Sequence, residues 1–347
     1  MGEITDMLNA DSLFNSEEMR AAEELAMQDM QGDAPINAPH ATVFCRAKKL
    51  DAISGKYETF RSSVEYDGTA YFIKIPTSHE HDDTWNLLME ELQINKKLIE
   101  RNCPHIVRYE KELKRDKDGR PYILGEYIHG ETLQDYLDYD AKGKRKPTIG
   151  DVSHEVIVNY FRDKTNVRRF IKQFLECLKH MHGLSVVHHD LKPANLLIDC
   201  IAGNLYVTDF DLSVGPSSTN KGFGWTEGYV DPEAQELWNN GNADWYDVFG
   251  PQFDIYSFGI IINEIFKAYK LRMPPEYEQI LNKCTCKREN RYQHVEDIFH
   301  DFMDYWMHEG HNSEDFLKMT KTYQAAANGN AKAKQLLNEF MEFETKL

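Results

Sequence analysis

The sequence has no long apolar run. A transmembrane helix needs about 20 consecutive apolar residues, and no stretch of the chain approaches this. The N-terminus also lacks a basic segment followed by an apolar one, which is the pattern of a secretion signal. Cysteine is scarce, with six dispersed residues, and this is typical of a reducing compartment. We therefore expect a soluble, intracellular protein in the cytoplasm, with no membrane partner.

Positive charge is also in short supply. The 40 lysine and arginine residues face 57 aspartate and glutamate residues, so the formal net charge at pH 7 is −17. A strongly negative protein is repelled by phosphate backbones and by anionic lipid head groups, so we expect no binding to nucleic acid. The chain is 41% apolar, which is enough to fill the core of a folded domain with appendages.

The negative charge is concentrated near the N-terminus. Residues 1–40 carry nine acidic residues against Arg20 alone, and we interpret them as a separate acidic arm. Within this arm, residues 16–31 are predicted to form one helix. A basic run at 142–146, containing Lys142, Lys144, Arg145 and Lys146, is interpreted as a solvated loop. As an alternative, this run would bind an acidic partner or the arm itself.

A polar cluster in the middle of the chain points to phosphoryl transfer. This chemistry needs a carboxylate to orient the attacking hydroxyl, a cation to balance charge, and hard oxygen ligands for magnesium. The segment supplies these groups as Asp190, Lys192, Asn195 and Asp209. The spacing fits a loop followed by a hairpin, predicted over 196–199 and 205–208, that returns the chain to the same cleft. A polar turn between two buried strands is the alternative.

These residues and the segments around them resemble the eukaryotic-type protein kinase family, in its serine/threonine form. The resemblance extends over residues 42–309. It implies an α+β, bilobal protein kinase-like fold, with a small mainly-β N-lobe that contains one helix and a larger mainly-α C-lobe. On this basis we predict a kinase domain at 41–309, with the N-lobe at 41–125 and the C-lobe at 129–309. Residues 310–347 are predicted to form a C-terminal helical extension.

The resemblance implies a role for each member of the cluster. Asp190 is the expected catalytic base, and Lys192 is the expected cation at the transferred phosphate. Asn195 and Asp209 are the expected magnesium ligands. Thr226 is expected to contact both Asp190 and Lys192, as a threonine does in kinases that modify serine and threonine. ATP and Mg²⁺ are the implied cofactors, and a protein substrate is the implied partner.

The nucleotide is expected to contact Lys74, which lies in an alternating strand over 70–75 and would reach the α- and β-phosphates. This lysine needs a carboxylate partner, and the helix predicted over 86–99 offers Glu90 and Glu91. Glu91 shares the apolar face of that helix, so we predict that it is the partner, whereas Glu90 suits a surface position.

The strand and hinge over 122–128 would seat adenine through the backbone of Glu126 and Ile128. Gly125 then occupies the gatekeeper position, and its missing side chain predicts an open back pocket that tolerates bulky adenine-site inhibitors. Glu131 is the expected ribose contact, although a carboxylate at a helix N-terminus explains it equally well.

Three positions depart from the family pattern. Gly55 is the single glycine between residues 43 and 66, where the family usually shows three glycines that approach the phosphates, and Lys56 would supply charge in place of amides. Asp211 replaces the glycine after Asp209 and Phe210, which we expect to stiffen the turn. His189 replaces the arginine before the catalytic aspartate, which predicts pH sensitivity because an imidazole binds phosphate only when protonated.

Further downstream, two charged positions are expected to support the site. Glu233, at the end of the substrate-binding segment, is predicted to form a buried ion pair with Arg291. Asp231, two residues before Glu233, stands where alanine is usual. Asp254 would begin the central helix of the large lobe and bind the backbone of the catalytic loop.

Three functions fit these observations. We expect an active serine/threonine protein kinase, because all the residues that do the chemistry are present. A pseudokinase that acts as a nucleotide-binding scaffold is the alternative that the missing glycines favour. A small-molecule phosphotransferase is the third, although such enzymes generally lack the features seen at Lys192 and 226–233.

Overall fold

The computed structural model describes residues 47–50, 56–62, 71–115, 119–138, 152–200, 202–215, 226–241, 250–308 and 331–332. The acidic arm at 1–40, Gly55 and the basic run at 142–146 lie outside these residues. The C-terminal extension also lies outside them, apart from 331–332.

The smaller lobe is built on a five-stranded antiparallel sheet. Its strands are β1 Ala47–Leu50, β2 Tyr57–Ser62, β3 Tyr71–Pro76, β4 Lys114–Arg115 and β5 Pro121–Glu126, in the spatial order β1-β2-β3-β5-β4. Helix α1, Asp83–Glu100, begins where the Asp82 carboxylate accepts a hydrogen bond from the amide of Thr84 at 2.9 Å. Its buried leucines, Leu88 and Leu92, share a core cluster with Ile123 of β5. This packing places one face of α1 toward β3 and β5.

The larger lobe is mainly helical and contains a small three-stranded sheet. Its elements are β6 Gly130–Thr132, α2 Leu133–Leu137, α3 His154–Asn159, α4 Lys164–Gly183, β7 Leu196–Asp199, β8 Leu205–Val207, α5 Pro232–Asn239, α6 Pro251–Ala268, α7 Pro275–Thr285 and α8 Val295–His308. Strands β7 and β8 form the predicted antiparallel hairpin, and β6 pairs with the other edge of β7. Across the described residues, we find no helix with the length and apolarity to cross a membrane.

Aromatic packing joins the long helices of this lobe. In α4, buried apolar residues recur at spacings of three and four, which gives the helix one continuous apolar face. The ring of Phe174 in α4 lies 5.3 Å from that of Phe258 in α6, and Phe258 lies 6.5 Å from Phe302 in α8. Burial of each such side chain contributes about 1.5–3 kcal/mol. The helices therefore form a firm base for the loop that precedes β7.

Asp254 ties that loop to α6, as predicted. It lies in the first turn of α6 and is fully buried. Its carboxylate accepts hydrogen bonds from the amides of His188 at 2.9 Å and His189 at 3.0 Å, and lies 2.9 Å from Nε2 of His182. Burial alone would raise the pKa of Asp254, but the bond to His182 lowers it below the usual value. The side chain thus stays ionised and fixes the loop backbone.

The ion pair predicted between Glu233 and Arg291 was wrong in its main partner. Arg291 instead binds Asp231 through Nη1, and both side chains are almost completely buried. Glu233 lies 4.0 Å from Nη2 of Arg291, is 43% exposed, and accepts a hydrogen bond from the amide of Arg288. The reason is local, because Asp231 caps α5 by accepting from the amide of Glu233, which turns the Asp231 carboxylate inward.

This geometry predicts unequal effects of two neighbouring substitutions. Asp231→Ala is expected to lower the free energy of unfolding by about 3–5 kcal/mol, because it leaves the buried Arg291 charge without its carboxylate. Glu233→Gln is expected to cost less than about 1 kcal/mol, because its carboxylate is partly exposed. Urea unfolding of both variants and the wild type measures this difference. Equal losses in the two variants would contradict the assignment.

Candidate active site

The cleft between the lobes is centred on Lys74. Its Nζ atom lies 2.7 Å from Oε2 of Glu91 in α1 and 2.5 Å from Oδ1 of Asp209 in the loop after β8. Lys74 is 4% exposed and Glu91 is fully buried. The prediction that Glu91 rather than Glu90 is the partner of Lys74 is confirmed, since Glu91 is among the buried residues of α1. The three residues come from a strand, a helix and a loop that are distant in sequence.

The positive charge of Lys74 is balanced by the two carboxylates beside it, Glu91 and Asp209. Burial by itself would lower the pKa of Lys74, but Asp209 and Glu91 more than offset burial and raise the pKa well above its usual value. Burial would likewise raise the pKa of Asp209, yet Lys74 holds it below its usual value. Lys74 is therefore a cation and Asp209 an anion at neutral pH.

The second oxygen of Glu91 connects α1 to two other segments. Oε1 accepts a hydrogen bond from the hydroxyl of Tyr109 at 2.8 Å and from the amide of Phe210 at 3.3 Å. Asn95, one turn further along α1, accepts from the amide of Tyr109 at 3.1 Å and donates to the carbonyl of Val107 at 2.8 Å. Helix α1 is thus fixed to the chain at 107–109 by side-chain bonds at two levels.

The loop before β7 brings the other predicted residues together. The Nζ atom of Lys192 lies 2.6 Å from Oδ2 of Asp190 and 3.1 Å from Oγ1 of Thr226. Thr226 donates to Oδ1 of Asp190 at 2.7 Å. Asn195 donates to the carbonyl of Asp190 at 2.9 Å and to its Oδ2 atom at 3.2 Å. The Asp190 carboxylate is therefore oriented by three side chains.

Two residues of the cleft adopt left-handed backbone conformations. His189 has a φ of 64° and Asp209 a φ of 66°, values that non-glycine residues seldom adopt and that cluster at functional sites. Asp211, which replaces a glycine of the family pattern, does not have a positive φ. A side chain at position 211 therefore fits without backbone strain.

Asp211 is itself a member of the cleft. It is 6% exposed, and its Oδ2 atom lies 3.9 Å from Nζ of Lys56, which precedes β2. Burial, and then the adjacent Asp209 carboxylate, raise the pKa of Asp211 to about 7. Tyr57 is the first residue of β2, and the centroid of its ring lies 4.2 Å from Nζ of Lys74. Lys56 and Tyr57 thus border the cleft from the smaller lobe.

Sequence comparison agrees with this arrangement. A family profile described as a protein kinase domain matches residues 54–346, which is well over half of the chain. The chain belongs to the protein kinase family. The recognition made from the sequence motifs and the bilobal α+β fold expected from it are both confirmed.

Curated relatives are also protein kinases. The chain is 30% identical over 151 residues to probable serine/threonine-protein kinase MARK-C of Dictyostelium discoideum, an alignment that covers 43% of this chain and 16% of the relative. It is 27% identical over 191 residues to mitogen-activated protein kinase kinase 9 of Arabidopsis thaliana, and this alignment covers 54% of this chain and 52% of the relative. It is 29% identical over 226 residues to serine/threonine-protein kinase cds1 of Schizosaccharomyces pombe, and this alignment covers 62% of this chain and 43% of the relative. The chain thus spans about half or less of these relatives.

The residues proposed to contact adenine lie where β5 ends. Glu126 closes β5 opposite Tyr71 of β3, and Ile128 follows it, partly buried against the small-lobe core. The side chain of Glu126 accepts a hydrogen bond from the amide of Arg108 at 3.0 Å, so it faces the segment that contains Arg108 rather than the cleft. This leaves the backbone of Glu126 and Ile128, and not the carboxylate, as the groups proposed to contact adenine.

The open back pocket expected beside Gly125 is not present. A Cβ atom at this position would lie 2.8 Å from Cδ1 of Tyr109 and 3.0 Å from the carbonyl oxygen of Arg108. The expectation was wrong because the ring of Tyr109 fills the space left by the missing side chain at Gly125.

Glu131 is not brought to the cleft. It lies in β6 and is fully buried, and its Oε1 atom accepts a hydrogen bond from the amide of Val152 at 3.3 Å. We therefore correct its predicted ribose contact to an interior role. The helix-cap alternative also belongs to a neighbour, since Thr132 caps α2 by accepting from the amide of Asp135.

His189 also departs from its expected behaviour. Its ring is buried and packs edge-on against Phe253, with centroids 5.0 Å apart. Burial lowers the pKa of His189 to about 4; Asp254 opposes this effect, and His188 and His182 add to it. The imidazole is neutral near pH 7, so it cannot replace an arginine that binds phosphate, and the expected sensitivity near neutral pH is wrong.

The residues that sequence reasoning missed act through tertiary contacts. Tyr109 donates to Glu91, and the ring of Tyr57 lies against Lys74. Asn95 binds the backbone of Tyr109 and Val107, and none of these three residues belongs to a motif. One signal was available for Asn95, because a polar residue four positions after Glu91 lies on the same buried helix face. For Tyr109 the signal was indirect, namely the missing side chain at Gly125.

The pKa of His189 predicts a loss of stability in acid. An unfolded histidine has a pKa of about 6.5, so between about pH 6.5 and about pH 4 the unfolded chain binds a proton that the native state does not. The contribution of this group is therefore unfavourable below about pH 6.5 and absent above it. Asparagine tolerates a left-handed φ and does not titrate, so His189→Asn should remove the effect.

Urea unfolding at about pH 7.5 and about pH 5 tests this prediction. The free energy of unfolding should fall on acidification by about 2 kcal/mol less in His189→Asn than in the wild type. All other titrating groups are common to both proteins and cancel in the comparison. Identical losses would show that His189 is not buried as a neutral group.

Proposed function

We propose that this chain is an ATP-dependent serine/threonine protein kinase, which transfers the γ-phosphate of ATP to hydroxyl groups of protein substrates. The observation that carries the proposal is the contact of Thr226 with both Asp190 and Lys192 in the cleft that contains Lys74. Membership of the protein kinase family and relatives named as serine/threonine kinases support it.

Each side chain has a role in this proposal. Asp190 orients the attacking hydroxyl and accepts its proton, while Thr226 and Lys192 hold its carboxylate in position. Lys192 also places a positive charge beside the reacting group, where charge develops in the transition state. Lys74, held by Glu91, would bind the α- and β-phosphates.

The donor set fits magnesium. Mg²⁺ is usually held by one or two carboxylates together with substrate phosphates, and not by an all-protein cage. Asp209 is ionised and would be the first ligand. The side-chain nitrogen of Asn195 donates to the carbonyl of Asp190, so the side-chain oxygen of Asn195 would be the second ligand. In the described part of the chain, no group of three or more acidic, histidine or cysteine side chains forms a metal site alone. When bound, the metal would offset the negative charge of the phosphates.

A cytoplasmic location is part of the proposal. Among the described residues, Cys103, Cys177, Cys284 and Cys286 are free thiols, as is usual in a reducing compartment. The proposed partners are protein substrates. The basic run at 142–146, interpreted above as a solvated loop, is in the alternative a contact for an acidic partner or the acidic arm.

A nucleotide-binding scaffold is the second candidate. It is favoured by the scarcity of glycine around Gly55 and by the additional carboxylate of Asp211 in the cleft. In this case Asp190 would do no chemistry, and its substitution would leave any phosphate incorporation unchanged.

Transfer of radiolabelled phosphate from ATP with magnesium to generic protein substrates tests the proposal. Asp190→Asn should lower the initial rate by at least about 100-fold, because it removes the catalytic base. Glu90→Gln, beside Glu91 but outside the cluster, serves as the matched control and should retain the rate. Labelled serine and threonine are expected.

The same assay identifies the alternatives. No transfer by the wild type, and no difference from Asp190→Asn, would favour the scaffold. Transfer to small alcohols but never to protein would favour a small-molecule phosphotransferase.

A further inference from the structure

The back wall of the cleft is formed by Tyr109 and not by the residue at the gatekeeper position. Gly125 forms an antiparallel bridge with Tyr109, so the two backbones lie side by side. A Cβ atom at position 125 would lie 2.8 Å from the Tyr109 ring, closer than carbon atoms approach in folded proteins. The ring therefore occupies the volume that a side chain at 125 would otherwise fill.

Tyr109 is held at both ends. Its hydroxyl donates to Oε1 of Glu91 at 2.8 Å and lies 3.5 Å from Oγ1 of Thr208. Its amide donates to Asn95 of α1. The side chain is 5% exposed, and burial followed by the Glu91 charge raises the pKa of the phenol, so it remains a donor. Moving the ring aside would leave a buried carboxylate oxygen with one hydrogen bond fewer, which is costly.

The ring spans two parts of the nucleotide site. One edge faces Gly125, which immediately precedes the proposed adenine-contacting backbone of Glu126. The other end contacts Glu91, the partner of Lys74. One side chain thus limits the depth of the adenine end and supports the carboxylate at the phosphate end.

We propose that Tyr109 is the specificity-determining side chain of the nucleotide site. Its ring takes the place of the missing side chain at Gly125 and closes the site against purines that carry a bulky substituent. The proposal rests on the function proposed above, because it assumes that adenine binds at the end of β5. It predicts that the wild type discriminates against enlarged adenine nucleotides although its gatekeeper residue is glycine.

Three variants separate the ring from its hydroxyl. Tyr109→Ala removes the ring and should open the back wall. Tyr109→Phe keeps the ring and loses only the hydroxyl, so it is the matched control for size. Tyr109→Ala combined with Gly125→Met supplies a side chain from β5 in place of the Tyr109 ring and should close the back wall again.

Calorimetric titration of the full chain with magnesium and either ATP or N6-benzyl-ATP tests the proposal. The wild type and Tyr109→Phe should bind N6-benzyl-ATP at least about tenfold more weakly than ATP, as expected when a pocket rejects added bulk. Tyr109→Ala should lose most of this discrimination, and the double variant should regain it.

The wild-type measurement is decisive even if Tyr109→Ala does not fold. Equal binding of the two nucleotides by the wild type would overturn the proposal, and so would a Tyr109→Phe variant that accepts the enlarged nucleotide. Failure of the wild type to bind ATP would instead overturn the proposed function and this assignment with it. Binding of ATP without size discrimination would overturn the role of Tyr109 alone.

Discussion

The buried ammonium group of Lys74 is the charge on which the cleft depends. Moving an ammonium group out of water costs several kcal/mol unless carboxylates and hydrogen bonds compensate. Two carboxylates do so here, Glu91 from α1 and Asp209 from the loop after β8. Because Glu91 also accepts from Tyr109 and from the amide of Phe210, the ion pair fixes the helix, the back wall and the loop relative to one another. The arrangement of the cleft is thus a single connected network.

Features that depend on local spacing could be predicted from the sequence. Glu91 was separated from Glu90 by the helical repeat. The hairpin predicted over 196–199 and 205–208 from the spacing of the polar cluster is found at Leu196–Asp199 and Leu205–Val207. The carboxylate of Asp254 meets the catalytic-loop backbone as the family resemblance implied. For Glu91 and the hairpin, the relevant neighbours are set by the period of one element or by a short spacing. The contacts of Asp254 are with residues 66 and 65 positions away, so the family resemblance, and not local spacing, predicted them.

Features that depend on which side chain fills a space could not be predicted in this way. Asp231 and Glu233 are two residues apart, and only the cap of α5 decides which of them meets Arg291. The glycine at 125 suggested an empty pocket, but the chain that lies beside it supplies Tyr109. The sequence also suggested that His189 would make the site sensitive to pH, whereas burial lowers its pKa to about 4 and keeps the ring neutral near pH 7. These outcomes require the packing of segments far apart in the chain.

Intact-mass spectrometry tests the central account most directly. Three proteins would be compared: the wild type, Lys74→Met and Asp209→Asn. Each would be treated with phosphatase, separated from the phosphatase, and then incubated with ATP, magnesium and a generic protein substrate. Added phosphate is expected on the chain or the substrate with the wild type alone, because each variant removes one member of the ion-pair network around Lys74. Equal phosphate with all three proteins, or none with the wild type, would contradict this expectation.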